Sequence, residues 1–163
     1  MSRLDSFIRR LTAQRDCLDA AAARVADLSG PVLELGLGNG RTYSHLVERL
    51  PGRDVFVFER EVMAHPRSLP PPDRLILGDF LETLPTAGAR IGAPAVLAHM
   101  DVGNGDEAAS RWLAAAAARL LVPLLANGAV VVGDQPLDLP DLAPLPLPET
   151  VEPGRYFMFA KTG

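Results

Sequence analysis

Short apolar runs alternate with segments of helical periodicity along most of the chain. Apolar residues recur every three or four positions over 4–28 and over 106–125, which predicts one helix or two short ones in the first segment and one helix in the second. A further helix is indicated over 41–50. The apolar runs predict buried strands of the parallel type at 32–35, 54–58, 74–77, 94–100 and 129–132. Strands and helices that alternate in this way predict an α/β fold with a doubly wound sheet.

The carboxyl-terminal part of the chain has a different pattern. Residues 137–148 are rich in proline, which restricts them to a loop and at most an edge strand. The run RYFMFAK at 155–161 predicts a last strand that pairs with that edge. We therefore expect a three-layer α/β/α sandwich, Rossmann-like, of about seven strands that ends in an antiparallel hairpin.

Three glycines at alternate positions follow the first strand, in the string ELGLGNG at 34–40. Glycine adopts positive φ angles without strain and leaves room for a ligand against the backbone. The helix that begins with Arg41 and Thr42 directs its unpaired N–H groups towards this turn. The third glycine comes one position too early for the dinucleotide motif G-x-G-x-x-G, so NAD is not expected. The alternative is a tight turn without a ligand.

Acidic residues stand at the ends of the second and third strands. Glu59 is placed where an acid can accept hydrogen bonds from ribose hydroxyls, although it could also be a solvated partner of Arg60. Asp79 and Phe80 follow the third strand, and Asp79 is equally suited to cap a helix over 81–84. Because the carboxyl ends of parallel strands meet at one edge, these residues are expected near the glycine turn.

The fourth strand ends in HMDVGNGD, which brings two titratable residues to the same edge. His99 and Asp101 are two positions apart, so both point to one face of an extended strand. A neutral histidine can take a proton from an attacking hydroxyl or amine, and a carboxylate can orient it or contact the substrate. We predict a catalytic pair, with a buried, fully bonded histidine as the alternative for His99.

The glycine string, Glu59 and the Asp79–Phe80 pair together resemble class I S-adenosylmethionine-dependent methyltransferases over residues 30–80. The chain looks most like small bacterial members of that family whose acceptor is unassigned. The resemblance implies the strand order 3-2-1-4-5-7-6, S-adenosyl-L-methionine as cofactor and S-adenosyl-L-homocysteine as product. A non-catalytic regulatory module that binds S-adenosylmethionine is the alternative.

Roles for individual residues follow from the same resemblance. It implies that Glu34 organises the turn and contacts the methionyl amine, while the three glycines let the cofactor lie on the backbone. Glu59 would bind the ribose, Asp79 the adenine amino group, and Phe80 would cover the adenine ring. The implied cofactor-binding set is Glu34, Gly36, Gly38, Gly40, Arg41, Thr42, Glu59, Asp79, Phe80 and Asp101.

Asp101 and the pair Asp134–Gln135 partly resemble the magnesium site of catechol-type O-methyltransferases. In that site an Asp follows the fourth strand and an Asp-Asn pair follows the fifth, and all bind through oxygen. Gln135 stands here in place of the Asn, and the lysine that those enzymes place after the first Asp is missing. We therefore predict no metal.

Length and composition narrow the function further. The 163 residues predict a single domain, 1–163, without a separate substrate lobe. The net charge of −4 and the lack of a basic block argue against nucleic acid, and Arg119 and Pro123 interrupt the longest apolar run, which argues against a membrane span. A single cysteine, Cys17, and no recognisable signal peptide favour the cytoplasm. The acceptor is thus expected to be a small molecule or an exposed side chain.

Residues 1–28 remain once the sheet and its crossover helices are assigned. The resemblance implies that their helix serves as a lid over the cofactor, through Phe7, Arg10 and Gln14. The alternative is a helix that only packs on the sheet edge or on a partner chain, as a dimer segment. We predict a homodimer, because the apolar residues on this helix and the exposed edge strand would be buried together.

Overall fold

Seven strands form one mixed sheet in the computed structural model, which describes residues 2–163. The strands are β1 (Val32–Leu35), β2 (Val55–Glu59), β3 (Leu75–Leu77), β4 (Ala95–Met100), β5 (Leu125–Gly133), β6 (Leu142–Pro144) and β7 (Phe157–Lys161). Their order across the sheet is β3-β2-β1-β4-β5-β7-β6. The first five strands pair in parallel, and the antiparallel strands β7 and β6 complete one edge. The predicted fold class and strand order are confirmed.

Helices cover both faces of this sheet. They are α1 (Arg3–Arg24), α2 (Arg41–Arg49), α3 (Phe80–Thr83), α4 (Gly88–Ile91) and α5 (Glu107–Leu121). Buried residues of α1 and α2 pack with Val32 and Val130, whereas those of α3 and α5 pack with Leu33 and Val131 on the other face. Neighbouring strand residues thus point to opposite layers, as strand geometry requires. Within residues 2–163, no helix is both long enough and apolar enough to cross a membrane.

The N-terminal segment forms one continuous helix. Ser2 and Asp5 make a capping box that fixes where α1 begins. The second half of α1 is buried against the sheet, and Cys17 is completely enclosed there. The first two turns instead leave Leu4 66% and Ile8 52% exposed. Only the second half of α1 therefore belongs to the core.

Two elements differ in extent from the predictions. α5 begins after its N-cap Asp106 but ends at Leu121, because Pro123 lies in a tighter 3-10 turn that follows. β5 begins at Leu125, earlier than predicted, and its pairing with β4 is irregular at the start. Gly128, with φ 78°, accommodates this irregularity inside the strand.

Candidate functional site

A cavity of about 400 Å³ opens at the carboxyl ends of β1, β2 and β4. The order of the strands reverses between β1 and β4, and doubly wound folds bind ligands at that point. The walls come from the glycine turn after β1, the end of β2, the segment after β4 and helix α1. The lining residues are Phe7, Arg10, Leu11, Gln14, Gly36, Leu37, Gly38, Asn39, Arg41, Thr42, Glu59, Phe80, Asp101, Val102, Gly103 and Leu113.

Two glycines of the turn, Gly38 and Gly40, face in different directions. Gly38 has φ 52°, and a Cβ added to it would have no atom within 4 Å, so its backbone is open to a ligand. Gly40 has φ 81° and caps the start of α2. A Cβ at Gly40 would lie 2.5 Å from the Cβ of Ser68, so this glycine is required by packing and does not line the cavity.

Glu59, the last residue of β2, holds the glycine turn through its carboxylate. Its Oε2 accepts hydrogen bonds from the backbone N–H groups of Leu37 (2.7 Å) and Gly38 (3.2 Å). Its Oε1 accepts from the backbone N–H of Arg60 at 2.8 Å, so the contact with Arg60 uses the backbone and no ion pair forms between the two side chains. Glu59 is therefore a fixed carboxylate at the cavity wall.

Asp101, just beyond the end of β4, joins the sheet to α1. Its Oδ1 accepts from the Arg10 guanidinium at 2.8 Å, and its Oδ2 accepts from the Gln14 amide at 3.0 Å. All three residues line the cavity, and Phe7 and Leu11 on the same helix complete this wall. The helix thus covers one side of the cavity and is fastened there by a carboxylate.

A buried row of hydrogen bonds continues from Gln14 to the opposite wall of the cavity. The Gln14 amide also donates to the Tyr156 hydroxyl at 3.0 Å, and that hydroxyl lies 2.6 Å from Nε2 of His99. Nδ1 of His99 lies 3.0 Å from Oε1 of Glu34, which accepts from the Thr42 hydroxyl at 2.5 Å. His99, Tyr156 and Glu34 are fully buried. This row, from Gln14 through Tyr156, His99 and Glu34 to Thr42, connects α1 with the first turn of α2.

Burial and neighbouring charges shift two groups in the row. Burial lowers the pKa of His99, but the adjacent Glu34 carboxylate more than offsets this, so the pKa is raised overall. Burial, with the negative charge of Asp101, raises the pKa of Tyr156 well above its usual value. The phenol therefore keeps its proton at neutral pH, and the row contains a neutral hydroxyl between Gln14 and the imidazole.

Asp134 organises the segment after β4. Its carboxylate accepts from the backbone N–H groups of Val102 (3.2 Å) and Gly103 (3.0 Å) and from the Gln135 amide (3.1 Å). Burial raises the pKa of this carboxyl group, and Asp101 adds to the shift. Among residues 2–163, no group of three or more histidines, cysteines or acids is arranged to hold a metal ion.

Comparison with known proteins assigns the chain to a family. The model of a family described as S-adenosyl-L-methionine methyltransferase matches residues 1–161. The chain belongs to this methyltransferase family. The crystal structure of an S-adenosyl-L-methionine methyl transferase from Silicibacter pomeroyi DSS-3 is 46% identical, with 99% of each chain covered and a TM-score of 0.92. The predicted methyltransferase activity and its cofactor are confirmed, and the non-catalytic alternative is set aside.

More distant solved structures share only the fold. TrmN from Thermus thermophilus is 17% identical with a TM-score of 0.58, over 95% of this chain and 52% of that one. The plantazolicin methyltransferase BpumL in complex with SAH is 15% identical with a TM-score of 0.54, over 76% of this chain and 47% of that one. No functionally curated protein matches the sequence.

Most of the predicted site residues of this methyltransferase line one cavity. They are Gly36, Gly38, Arg41, Thr42, Glu59, Phe80 and Asp101. Asp79 lies outside the lining and caps α3, since its carboxylate accepts from the Leu81 N–H at 2.9 Å. The helix cap, which was the alternative, describes Asp79 in this structure.

Two further predicted site residues, Glu34 and His99, also lie outside the cavity. Glu34 is fully buried and its Oε1 is bonded to Thr42 and His99, so it organises the turn but does not face the cavity for a methionyl amine. His99 is equally enclosed, and both its ring nitrogens have partners within the core. A base that reaches an acceptor needs an open ring nitrogen, so the buried, fully bonded histidine replaces the predicted catalytic one.

No motif in the sequence indicated Tyr156 as part of the site. It lies 57 positions from His99 along the chain, just before an apolar strand, where a tyrosine is ordinarily a packing residue. Gln14 was expected in the lid, but its link through Tyr156 to the core was not. The periodicity of α1 places Gln14 on the same face as the buried Cys17 and Leu18, and a polar residue on such a face was the available signal.

Proposed function

We propose that the cavity holds S-adenosylmethionine with its adenosine half near β2 and its methionine half between β1, β4 and α1. The observation that carries this proposal is Glu59, a carboxylate fixed at the end of β2 beside the exposed backbone of Gly38. A carboxylate in this position can accept hydrogen bonds from ribose hydroxyls, and an open glycine lets a ligand approach the backbone. Phe80 supplies an apolar surface for a purine on the same side.

The methionine half of the cavity contains charges of both signs. Arg41 and Thr42 begin α2, whose first N–H groups favour a carboxylate. Asp101 lies across the cavity and can accept from an amine. These residues suit an amino acid zwitterion. When bound, the cofactor supplies a methyl group activated by its sulfonium.

With His99 enclosed, Asp101 becomes the group best placed to orient an acceptor or to take its proton. Its carboxylate remains about a quarter exposed while Arg10 and Gln14 fix its direction. A positioned carboxylate can serve as a general base within hydrogen-bond reach of the acceptor. The other contribution of the protein is alignment of the acceptor with the methyl group.

The acceptor under this proposal is a small molecule or an exposed side chain. We expect the acceptor to enter between α1, the loop at 103–106 and the segment at 134–136, of which α1 and Gly103 line the cavity. Apart from the crossover segments, residues 1–28 and 134–154, which include the short edge strand β6, are available to shape specificity, and neither forms a lobe. We also propose that residues 1–163 form one domain. In this proposal, residues 1–28 serve as a lid or as a dimer segment, and the protein is a homodimer. The cytoplasmic location and the absence of a nucleic acid partner stay predictions from the sequence.

Calorimetric titration tests the proposed site. S-adenosylhomocysteine should bind, whereas NAD should not, because the glycine spacing and the single fixed acid suit a mononucleoside. Transfer is then measured with S-adenosylmethionine labelled at its methyl group and fractionated small-molecule extract, comparing the intact protein with Asp101→Asn. NAD binding as tight as that of S-adenosylhomocysteine would contradict the assignment, and unchanged transfer by Asp101→Asn would remove Asp101 from the chemistry.

A further inference from the structure

We propose that the methyl acceptor carries an anionic group, a carboxylate or a phosphate, and that Arg3, Arg10 and Arg155 bind it beside the cofactor cavity. This inference rests on the proposed function, because it assigns the acceptor side of the same site. The arginines lie at the start of α1 and just before β7.

These arginines line a second pocket, of about 410 Å³, that adjoins the first. Its lining residues are Arg3, Ser6, Phe7, Arg10, Gly154 and Arg155. Phe7 and Arg10 also line the cofactor cavity, so the two spaces share a wall. No acidic residue lines the arginine pocket, although the chain has 20 acidic and 16 basic residues. The pocket is therefore a local positive site on an acidic protein.

The sheet register places this pocket on the acceptor side of the cofactor. Phe157, two residues after Arg155, pairs with Gly133 at the carboxyl end of β5. Gly133 pairs in turn with Met100, next to Asp101. Glu59 ends β2, on the other side of β1. The arginine pocket and the proposed ribose acid thus lie at opposite ends of the cavity, with Asp101 between them.

Ion pairing leaves positive charge in the pocket. Arg10 pairs with Asp101 at 2.8 Å, and Arg155 approaches the exposed Glu152 at 3.4 Å. Glu152 also pairs with Arg9 at 3.2 Å, so one carboxylate is shared by two guanidinium groups. Asp5 in the first turn of α1 is the other acid nearby, and its carboxylate is engaged by Ser2.

The presence of an arginine at position 3 is not explained by the stability of helix α1. Within residues 2–163, Arg3 makes no ion pair. It is also the first residue of α1, where the positive end of the helix dipole disfavours a cation. An anion bound between Arg3 and Arg155 would be stabilised by both guanidinium groups, which suit carboxylate and phosphate oxygens.

The reaction moves the methyl group from the sulfur of S-adenosylmethionine to the acceptor. A nucleophilic atom of the acceptor forms a bond to the methyl carbon, and the bond between sulfur and that carbon breaks. The electron pair of the broken bond stays on sulfur, which gives the neutral thioether of S-adenosylhomocysteine. The acceptor atom loses its proton to Asp101 or water. The arginines take no part in these bonds. They hold the anionic group of the acceptor, while its reacting atom extends past Phe7, the shared wall, into the cofactor cavity.

The test uses the full-length protein saturated with S-adenosylhomocysteine and titrated at constant ionic strength with inorganic phosphate or succinate. Binding is followed by the NMR signals of the arginine Nε–H groups. Phosphate or succinate should shift the signals of Arg3 and Arg155. Arg3→Gln and Arg155→Gln should each weaken that binding about fivefold to tenfold, the loss expected for one charge-assisted hydrogen bond at a partly exposed site. The stronger probe distinguishes a phosphorylated acceptor from a carboxylated one.

Arg24→Gln is the matched control, because Arg24 is also exposed, lies on α1 and makes no ion pair within residues 2–163. It should leave phosphate and succinate binding unchanged. Arg3→Gln should keep or raise the melting temperature, so a loss of binding cannot be attributed to unfolding. Absence of binding, or equal weakening by Arg24→Gln, would overturn the proposal. Failure to bind S-adenosylhomocysteine at all would instead contradict the proposed function.

Discussion

Replacement of Tyr156 by phenylalanine removes one hydroxyl from the centre of the buried row and leaves the ring in place. The hydroxyl accepts from Gln14 at 3.0 Å and lies 2.6 Å from Nε2 of His99. Phenylalanine fills the same space, so no large cavity forms. The change therefore isolates the hydrogen bonds from the packing of the ring.

The expected loss of stability follows from the polar groups that lose the Tyr156 hydroxyl as a hydrogen-bond partner. Nε2 of His99 is fully buried, and an unsatisfied buried polar group costs about 1–3 kcal/mol. The Gln14 amide is nearer the cavity and keeps its bond to Asp101, so its lost bond adds about 1 kcal/mol. We expect Tyr156→Phe to lower the free energy of unfolding by about 2–4 kcal/mol.

Urea denaturation, followed by circular dichroism, measures this difference through the midpoint and slope of the transition. Tyr43→Phe is the control, because Tyr43 is the other tyrosine and its hydroxyl makes no hydrogen bond within residues 2–163. Its effect should stay within about 0.5 kcal/mol. If Tyr156→Phe lowers the free energy of unfolding no more than Tyr43→Phe does, the buried row does not stabilise the fold. Its hydrogen bonds between α1 and α2 would then contribute nothing to stability.

Four further results are expected. Glu59→Ala should weaken S-adenosylhomocysteine binding by about 2 kcal/mol in calorimetry, because it removes charge-assisted hydrogen bonds. Glu61→Ala, at a neighbouring exposed position, should leave binding unchanged, and equal effects of the two variants would show that Glu59 does not contact the ligand. Chelation of metals should leave methyl transfer unchanged, because the Asp134 oxygens already accept from backbone N–H groups; restoration by added magnesium would show the prediction wrong. Burial, with the charge of Asp16 adding to it, raises the pKa of Cys17 to about 11, so about one thiol in a thousand is ionised at pH 8. A thiol reagent should therefore react only after unfolding. Rapid reaction of the native protein would contradict the enclosure of Cys17. The double variant Leu4→Ser and Ile8→Ser should convert a dimer into a monomer in light scattering, whereas an intact protein that is already monomeric would refute the predicted homodimer.

The sequence by itself determined the elements whose signals are local. The glycines after β1 are readable because positive φ angles and a ligand-facing backbone demand that residue, as Gly38 illustrates. Glu59 was predicted at the cavity because it ends a parallel strand, and all parallel strands end at one edge. The helix that follows Asp106 was predicted from its apolar period, and the side chain of Asp106 caps it in the structure.

The tertiary structure alone decided which polar residues reach the cavity. The period of β4 correctly placed His99 and Asp101 on one face, and both contact residues of the layer that contains α1 and Tyr156. Their depth differs, because His99 lies within the strand under Tyr156, whereas Asp101 lies just past its end. A strand pattern specifies the face on which a side chain lies, but the elements that cover that face come from distant parts of the chain. Enclosure of a side chain, and hence its chemistry, is a property of that packing.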